Sequence, residues 1–302
     1  MAVRSSADPE GAPYLPFEGG RFRLAMGLMP LAPRDWFEID GNLARDLAAK
    51  RALLETRRAA VFAALPEAEA PAVELLALAA AHLPQHHPVI FHRDGELLAN
   101  AATGERWNVA RPPLHPLDLC GRLVQEDFCL LQAADGAYRL VGATLCAPSR
   151  WRLAEKIGRP LAAIHAPVPG YAERLERPVD RFFAHLRPGR PVWRLNWTIV
   201  DHPAAFQPER LPATAPITAA TAGTHLWLRV ERQTLRRLTE TGAVVFTIRT
   251  HITRLDRALD AAAAATLAAL VRHAPAATLA YKHIAPFRDA LLAWLDSRAL
   301  TA

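Results

Sequence analysis

Two Asp-Gly dipeptides, Asp94-Gly95 and Asp135-Gly136, limit the fold of this 302-residue chain more than any other feature. Each interrupts a run of extended character, VIFHRDGELLAN and FCLLQAADGAYRLVGATLCAP. Asp-Gly between apolar runs marks a tight hairpin, because Gly readily and Asp tolerably accept the positive φ of such turns. Strands joined this closely must pair antiparallel. GERWNV, opening at Gly104, adds a further short extended piece, and Val192 to Val200, Leu226 to Glu231 and Ala243 to Ile252 read as three more strands.

Helices are expected in clusters around these strands. Leu43, Leu47, Leu54, Val61, Phe62 and Leu65 fall near one helical face, which Pro66 ends. A second helix opens at Pro71 and buries Val73, Leu75, Leu76, Leu78 and Leu83 before Pro84 and Pro88. Shorter ones are expected from Pro116 to Gln125, from Arg152 to Ala163 with breaks at Gly158 and Pro160, from Tyr171 to Leu186, and as a turn from Gln233 to Leu238. Asp256 to His273 and Phe287 to Leu295 close the chain. Hairpin strands with helices grouped apart predict an α+β fold, not an alternating parallel sheet. Residues 1–36, rich in Pro and Gly, read as an ordered arm anchored by Leu15, Phe17, Phe22, Leu24, Met26, Leu28 and Trp36. No linker divides the chain, which reads as one domain with parts at 1–88, 89–255 and 256–302.

Composition removes several function classes. A 51% apolar content places the chain among globular proteins. No apolar run reaches the roughly 18 residues of a membrane span, and the acids, glycines and prolines of the N-terminus predict no export, hence a cytoplasmic protein. The formal charge of +6 arises from scattered arginines, with only Lys50, Lys156 and Lys282 as lysines. The densest basic stretch, Arg232 to Arg237, lacks adjoining aromatics, which argues against nucleic acid. Cys120, Cys129 and Cys146 form no CxxC pair, so neither an iron–sulfur cluster nor a structural zinc is expected.

Signatures of nucleophile elbows, P-loops, strand-coupled GxGxxG and HExxH are missing. His82 and His86 are four residues apart, but Pro84 lies between them, and the pair reads as a surface feature. In KIGRPLAAIHAPVPGY, His165 sits between an apolar run and prolines that restrain its backbone. Such a histidine suits heme iron, which needs a neutral imidazole nitrogen; a buried histidine bonded to a loop carbonyl is the other reading. In VWRLNWTIV, Arg194, Asn196 and Thr198 oppose the apolar residues; in LWLRVE, Trp227, Arg229 and Glu231 do so, and in AVVFTIRTHI, Thr247, Arg249 and His251. Paired, these strands would gather arginines, amides and an acid on one face. That face is either solvated surface or the wall of a cavity where arginines meet heme propionates and Asn196 or Glu231 meets substrate.

Several long segments, in order, resemble the heme-dependent oxidative N-demethylase family: PYLPFEGGRFRLAMGLMPL with Asp35-Trp36 and Asp40, KIGRPLAAIHAPVPGY, RPVWRLNWTI, LWLRVERQTLRRLTETGAVVFTIRTHITRL and YKHIAPFRDALLAWL. The resemblance implies a PAS-like antiparallel sheet at 89–255 with helical additions on both sides, holding heme b. It implies oxidative N-demethylation of a small, dimethylamine-like secondary amine with O2. Electrons would come from NAD(P)H through a separate flavin/iron–sulfur reductase or ferredoxin-like donor. The family-like positions are His165, Arg194, Asn196, Glu231, Arg232, Gln233, Thr234 and Arg249; His165 is expected as metal ligand, with His251 the next choice, Arg194, Arg232, Gln233, Thr234 and Arg249 around the cofactor, and Asn196 and Glu231 at the substrate. A non-catalytic heme-PAS sensor or heme carrier, and a heme-free module binding an anion, are the alternatives.

Overall fold

The computed structural model describes residues 12, 14–17 and 24–300; Phe22, expected to anchor the arm, lies outside the described residues. After the arm come a two-residue strand β1 (Met29–Pro30), α1 (Leu43–Thr56), α2 (Arg58–Val61) and β2 (Phe62–Ala64). The single helix expected up to Leu65 therefore ends early. Leu65, held extended before Pro66, disfavours helix, and Phe62, Ala63 and Ala64 pair instead with Thr144, Ala143 and Gly142. A 3-10 turn then leads to α3 (Glu69–His86). Pro84 lies inside α3 rather than ending it, because in the last turn it forfeits a single backbone bond. Val73, expected inside, is exposed, and Ala72, Leu75, Leu76, Ala79, Ala80 and Leu83 carry the buried face.

A small antiparallel sheet follows, of β3 (Phe91–Asp94), β4 (Leu97–Asn100) and β5 (Glu105–Asn108). Beyond it lie α4 (Pro116–Leu123) and the hairpin of β6 (Asp127–Ala134) and β7 (Ala137–Thr144). Asp135 and Gly136 have φ of 51° and 79°, the two positive values a type I′ turn demands. Three short helices come next: α5 (Leu161–His165), α6 (Tyr171–Arg174) and α7 (Glu176–His185). The chain finishes with β8 (Val192–Val200), α8 (Ala222–His225), β9 (Trp227–Arg237), β10 (Val244–Arg254), α9 (Leu255–Ala258), α10 (Ala261–His273), α11 (Ala276–Tyr281) and α12 (Arg288–Ala299).

The architecture is α+β. Among the described residues, seven strands form one antiparallel sheet in the order β1-β8-β9-β10-β6-β7-β2. The helical turn expected at Gln233 to Leu238 is the second half of β9. There Gln233, Thr234 and Leu235 are paired on both sides, with Arg194, Trp193 and Val192 and with Ile248, Thr247 and Phe246, and two ladders outweigh local propensity. The helix expected from Asp256 to His273 is split, because Asp260 leaves the helix to cap α10 by accepting the Ala263 amide at 2.8 Å.

Each sheet face has its own cover. On one, Cys129, Leu131, Leu235, Val244 and Ile248 pack with Leu153, Leu161, Phe183 and Leu186 from the α5–α7 region. On the other, Phe128, Leu130 and Val245 meet α1, α3 and α4, and further along Trp197, Ile199, Leu228 and Val230 meet α8 to α12. Among the described residues, no helix is long and apolar enough to cross a membrane.

Candidate functional site

The face under α5–α7 is apolar at one end and polar at the other. Registers Val192↔Leu235, Arg194↔Gln233, Asn196↔Glu231 and Thr198↔Arg229 place these alternate residues side by side. Glu231 is at the centre. Its Oε2 accepts from Asn196 Nδ2 at 3.2 Å and Gln233 Nε2 at 3.0 Å, and its Oε1 lies 3.5 Å from Arg229 Nε. Arg229, 1% exposed, is held at its other nitrogens by the carbonyls of Ala205 and Ala147. Arg194 keeps a buried Nε with no partner in the described structure. Burial lowers its pKa, against the attraction of Glu231.

Lys282 enters this cluster from the side. Strand β1 covers only Val192 and Trp193 of β8, and the turn after α11 covers the edge beyond. The Thr198 hydroxyl donates to the Lys282 carbonyl at 2.8 Å; the ammonium reaches the Trp197 carbonyl, approaches Asn196 Oδ1 at 3.5 Å and lies 5.0 Å from the Trp197 ring centroid. Burial pulls its pKa down to about 8, with Glu231 opposing and Arg194 reinforcing. His283, next in the chain, has φ of 57°, a left-handed strain that marks a geometrically determined turn.

His165 ends α5. Its Nδ1 is 2.8 Å from the Leu161 carbonyl, which can only accept, so the proton sits on Nδ1 and the lone pair on Nε2. Nε2 has no hydrogen bond to a described residue. The ring stacks on Tyr171 at 4.8 Å and 12°. Burial lowers the His165 pKa; the Leu161 hydrogen bond opposes this, and the charges of Lys156 and Arg194 add to it. A neutral imidazole thus stands within electrostatic reach of the polar end of the sheet. Half-buried Trp151, Ile157, Ile164, Val179, Phe182, Val192 and Phe246 belong to the same apolar region. These residues fit heme in their chemistry: an available imidazole nitrogen, apolar surroundings, and Arg194 with an unmet donor for a carboxylate.

The strand register corrects the expectation of one face for all the polar strand residues. Ile248 pairs with Gln233 and Thr250 with Glu231, so Phe246, Ile248 and Ile252 share the Arg194 face. Arg232, Thr234, Arg249 and His251 occupy the opposite face, where they bind protein. Arg232 donates to the carbonyls of Asp35 and Trp36. Arg249 bonds Asp40 at 2.6 Å, Thr234 shares a 2.6 Å bond with Thr247, and His251 Nε2 meets Glu38 at 3.2 Å. Burial alone would raise the Glu38 carboxyl, but His251, Arg232 and the Tyr14 hydroxyl together hold it below its usual value. This face therefore clasps the arm, and His251, the second candidate ligand, is engaged there.

His82 and His86 do share a helical face, with ring centroids 4.4 Å apart, and His82 is buried, packed T-shaped against both members of the stacked Trp36–Phe37 pair, rather than on the surface. Among the described residues, no group of three or more His, Cys, Asp or Glu side chains is arranged to hold a metal ion. Cys120, Cys129 and Cys146 are buried free thiols. Lys282 and Tyr171 join the site without having been expected there, whereas Arg229 was expected on the polar strand face. A signal for Lys282 existed: in a chain that uses Arg almost everywhere, all three lysines donate to backbone carbonyls, Lys50 to Val124, Lys156 to Ile164 and Lys282 to Trp197.

The model of the family described as "Haem-dependent oxidative N-demethylase, alpha subunit-like" matches residues 27–292, spanning both sheet faces, α5 and Lys282. The chain belongs to that family.

Proposed function

We propose that this protein binds heme b through His165 and removes a methyl group oxidatively from a small, dimethylamine-like secondary amine, with O2 and externally supplied electrons. The observation that carries the proposal is His165 itself, with one nitrogen committed to Leu161 and the other left free beside a polar cluster. Bound heme would supply the oxygen activation; the amine's methyl carbon is oxidised to formaldehyde, with two electrons and two protons completing the reduction of O2 to water.

The chain's own residues have separable tasks. Arg194 and Gln233 would meet the propionates. Arg194, Arg229 and Lys282 gather around Glu231, with Asp127 acting on Arg229 from farther off, so cations outnumber carboxylates and the cluster suits a cofactor's carboxylates. Asn196 and Glu231 would orient the amine nitrogen, and the apolar half of the face would exclude water. The strands of 89–255 would form the PAS-like core of this pocket. Burial pushes all three thiols up, away from the thiolate form that iron–sulfur ligation requires. Electrons would come from NAD(P)H through a separate flavin/iron–sulfur reductase or ferredoxin-like donor.

The test is expression with heme supplementation, an absorption spectrum, and formaldehyde release from dimethylamine with a supplied reductase. A stoichiometric Soret band, lost in His165→Ala, is expected together with formaldehyde production. No Soret band would sink heme binding, and a band without turnover would leave a sensor or carrier.

A further inference from the structure

We infer that the exposed side of α7 docks an acidic one-electron donor protein. This rests on the oxidative reading above, which requires electrons from outside the chain.

Helix α7 is amphipathic. Phe183 and Leu186 are buried against the sheet, with Val179 and Phe182 partly so. Arg177, Arg181 and His185, four residues apart, form an exposed stripe on the outer side. Together with Pro178 and Phe182 they line an open groove of about 590 Å³. Arg174, Arg187 and Arg190 extend the exposed charge at both ends of the helix. None of these five arginines forms an ion pair with a described residue, although the protein pairs many others, such as Arg111 with Glu96 and Arg152 with Glu209. Glu173, Glu176 and Asp180 offset part of this charge, yet residues 173–190 keep five arginines against three acids, and no described residue ion-pairs with the surplus. An acidic partner would.

The location suits electron delivery. Tyr171 opens α6, which leads directly into α7 and packs against it. Tyr171 is buried and stacks in parallel on His165. The start of α7 is thus one aromatic ring away from the proposed iron ligand. A half-buried aromatic amid arginines is also the composition of a transient interface, in which charge steers the encounter and a small apolar centre seats it. Nucleic acid fits less well, since Phe182 is the one Phe, Tyr or Trp in the groove lining.

The probe is a reduced plant-type [2Fe–2S] ferredoxin, which is acidic, mixed with the heme-loaded protein in a stopped-flow instrument across a salt series. The expected result is second-order heme reduction that slows as salt rises. In Arg177→Glu/Arg181→Glu the rate is expected to fall at least tenfold at low salt and to lose most of its salt dependence. Arg93→Glu, an exposed charge change on the small sheet, is expected to leave the rate within about twofold of wild type, since a single distant charge steers weakly. Dithionite reduction is expected to be unaffected in every variant. Unchanged ferredoxin kinetics in the double variant, no salt-dependent reduction of the wild type, or preferential binding of a duplex oligonucleotide to this face would overturn the assignment. Failure to take up heme would instead refute the functional reading, and ferredoxin binding to the heme-free protein by calorimetry would then decide the surface separately.

Discussion

Glu231→Gln is the substitution with the most direct energetic consequence. Glu231 Oε1 lies 3.5 Å from the Nε of Arg229, which is 1% exposed. Two unit charges at that separation attract by about 5 kcal/mol at an effective dielectric of ~20, a gross figure that desolvation of both groups largely offsets. Removing only the carboxylate leaves the desolvated guanidinium with its carbonyl partners and the more distant Asp127. The expected cost is about 3 kcal/mol, the range for breaking one side of a buried pair. Arg229→Met/Glu231→Gln is expected to cost less than the two single changes together, with a coupling of about 2 kcal/mol. Urea denaturation of the heme-free protein at neutral pH measures all three variants. A cost below about 1 kcal/mol for Glu231→Gln, or additivity within about 0.5 kcal/mol, would refute the view that this pair is electrostatically closed.

Two pH-dependent predictions concern other buried groups. Burial and the adjacent His86 and His87 depress His82 from 6.5 to about 3, so the unfolded chain binds a proton that the folded one rejects, and native stability falls as pH drops from about 6.5 toward 3. The loss has an upper limit of about 5 kcal/mol; because carboxylates also titrate there, the measurement is the difference between wild type and His82→Leu, and parallel curves would sink it. Lys282, depressed from 10.5 to about 8, is likewise charged at higher pH in the unfolded chain, so wild type is expected to gain stability relative to Lys282→Met between about pH 8 and 10.5. Denaturation at both limits reads this directly, and an equal difference at the two pH values would contradict the burial of that ammonium.

The legible parts of this fold are those whose causes are local. Asp135-Gly136 announces its hairpin because the required φ values belong to those two residue types, and the alternation of VWRLNWTIV survives intact in β8. Phe62–Ala64 and Gln233–Arg237 were illegible for the opposite reason: each becomes strand only because another strand, distant in sequence, offers it a ladder. The same limit applies to the site. Alternation shows which residues of one strand share a side, but not which sides of three strands coincide, so Arg249 and His251 were grouped with Arg194 from which the register separates them. His165 could be singled out from its proline-restrained surroundings, whereas the proton position that makes it a candidate ligand depends on the Leu161 carbonyl one helical turn away. Lys282 joins the cluster only through the packing of a turn against an open strand edge.

Strand β9 serves two clients at once: its odd-numbered residues Arg229, Glu231 and Gln233 face the site, and its even-numbered Arg232 and Thr234 face the clasp and its surroundings. Inserting or deleting one residue would exchange the two sets wholesale, sending the site's carboxylate toward the arm's own acids and the clasp's arginine beneath α5. Length is therefore frozen along this strand even where side-chain identity is not. Divergence among proteins built this way has to proceed by substitution within β9, with insertions confined to the turns and to the long connection between β8 and α8, whose length the ladder does not count.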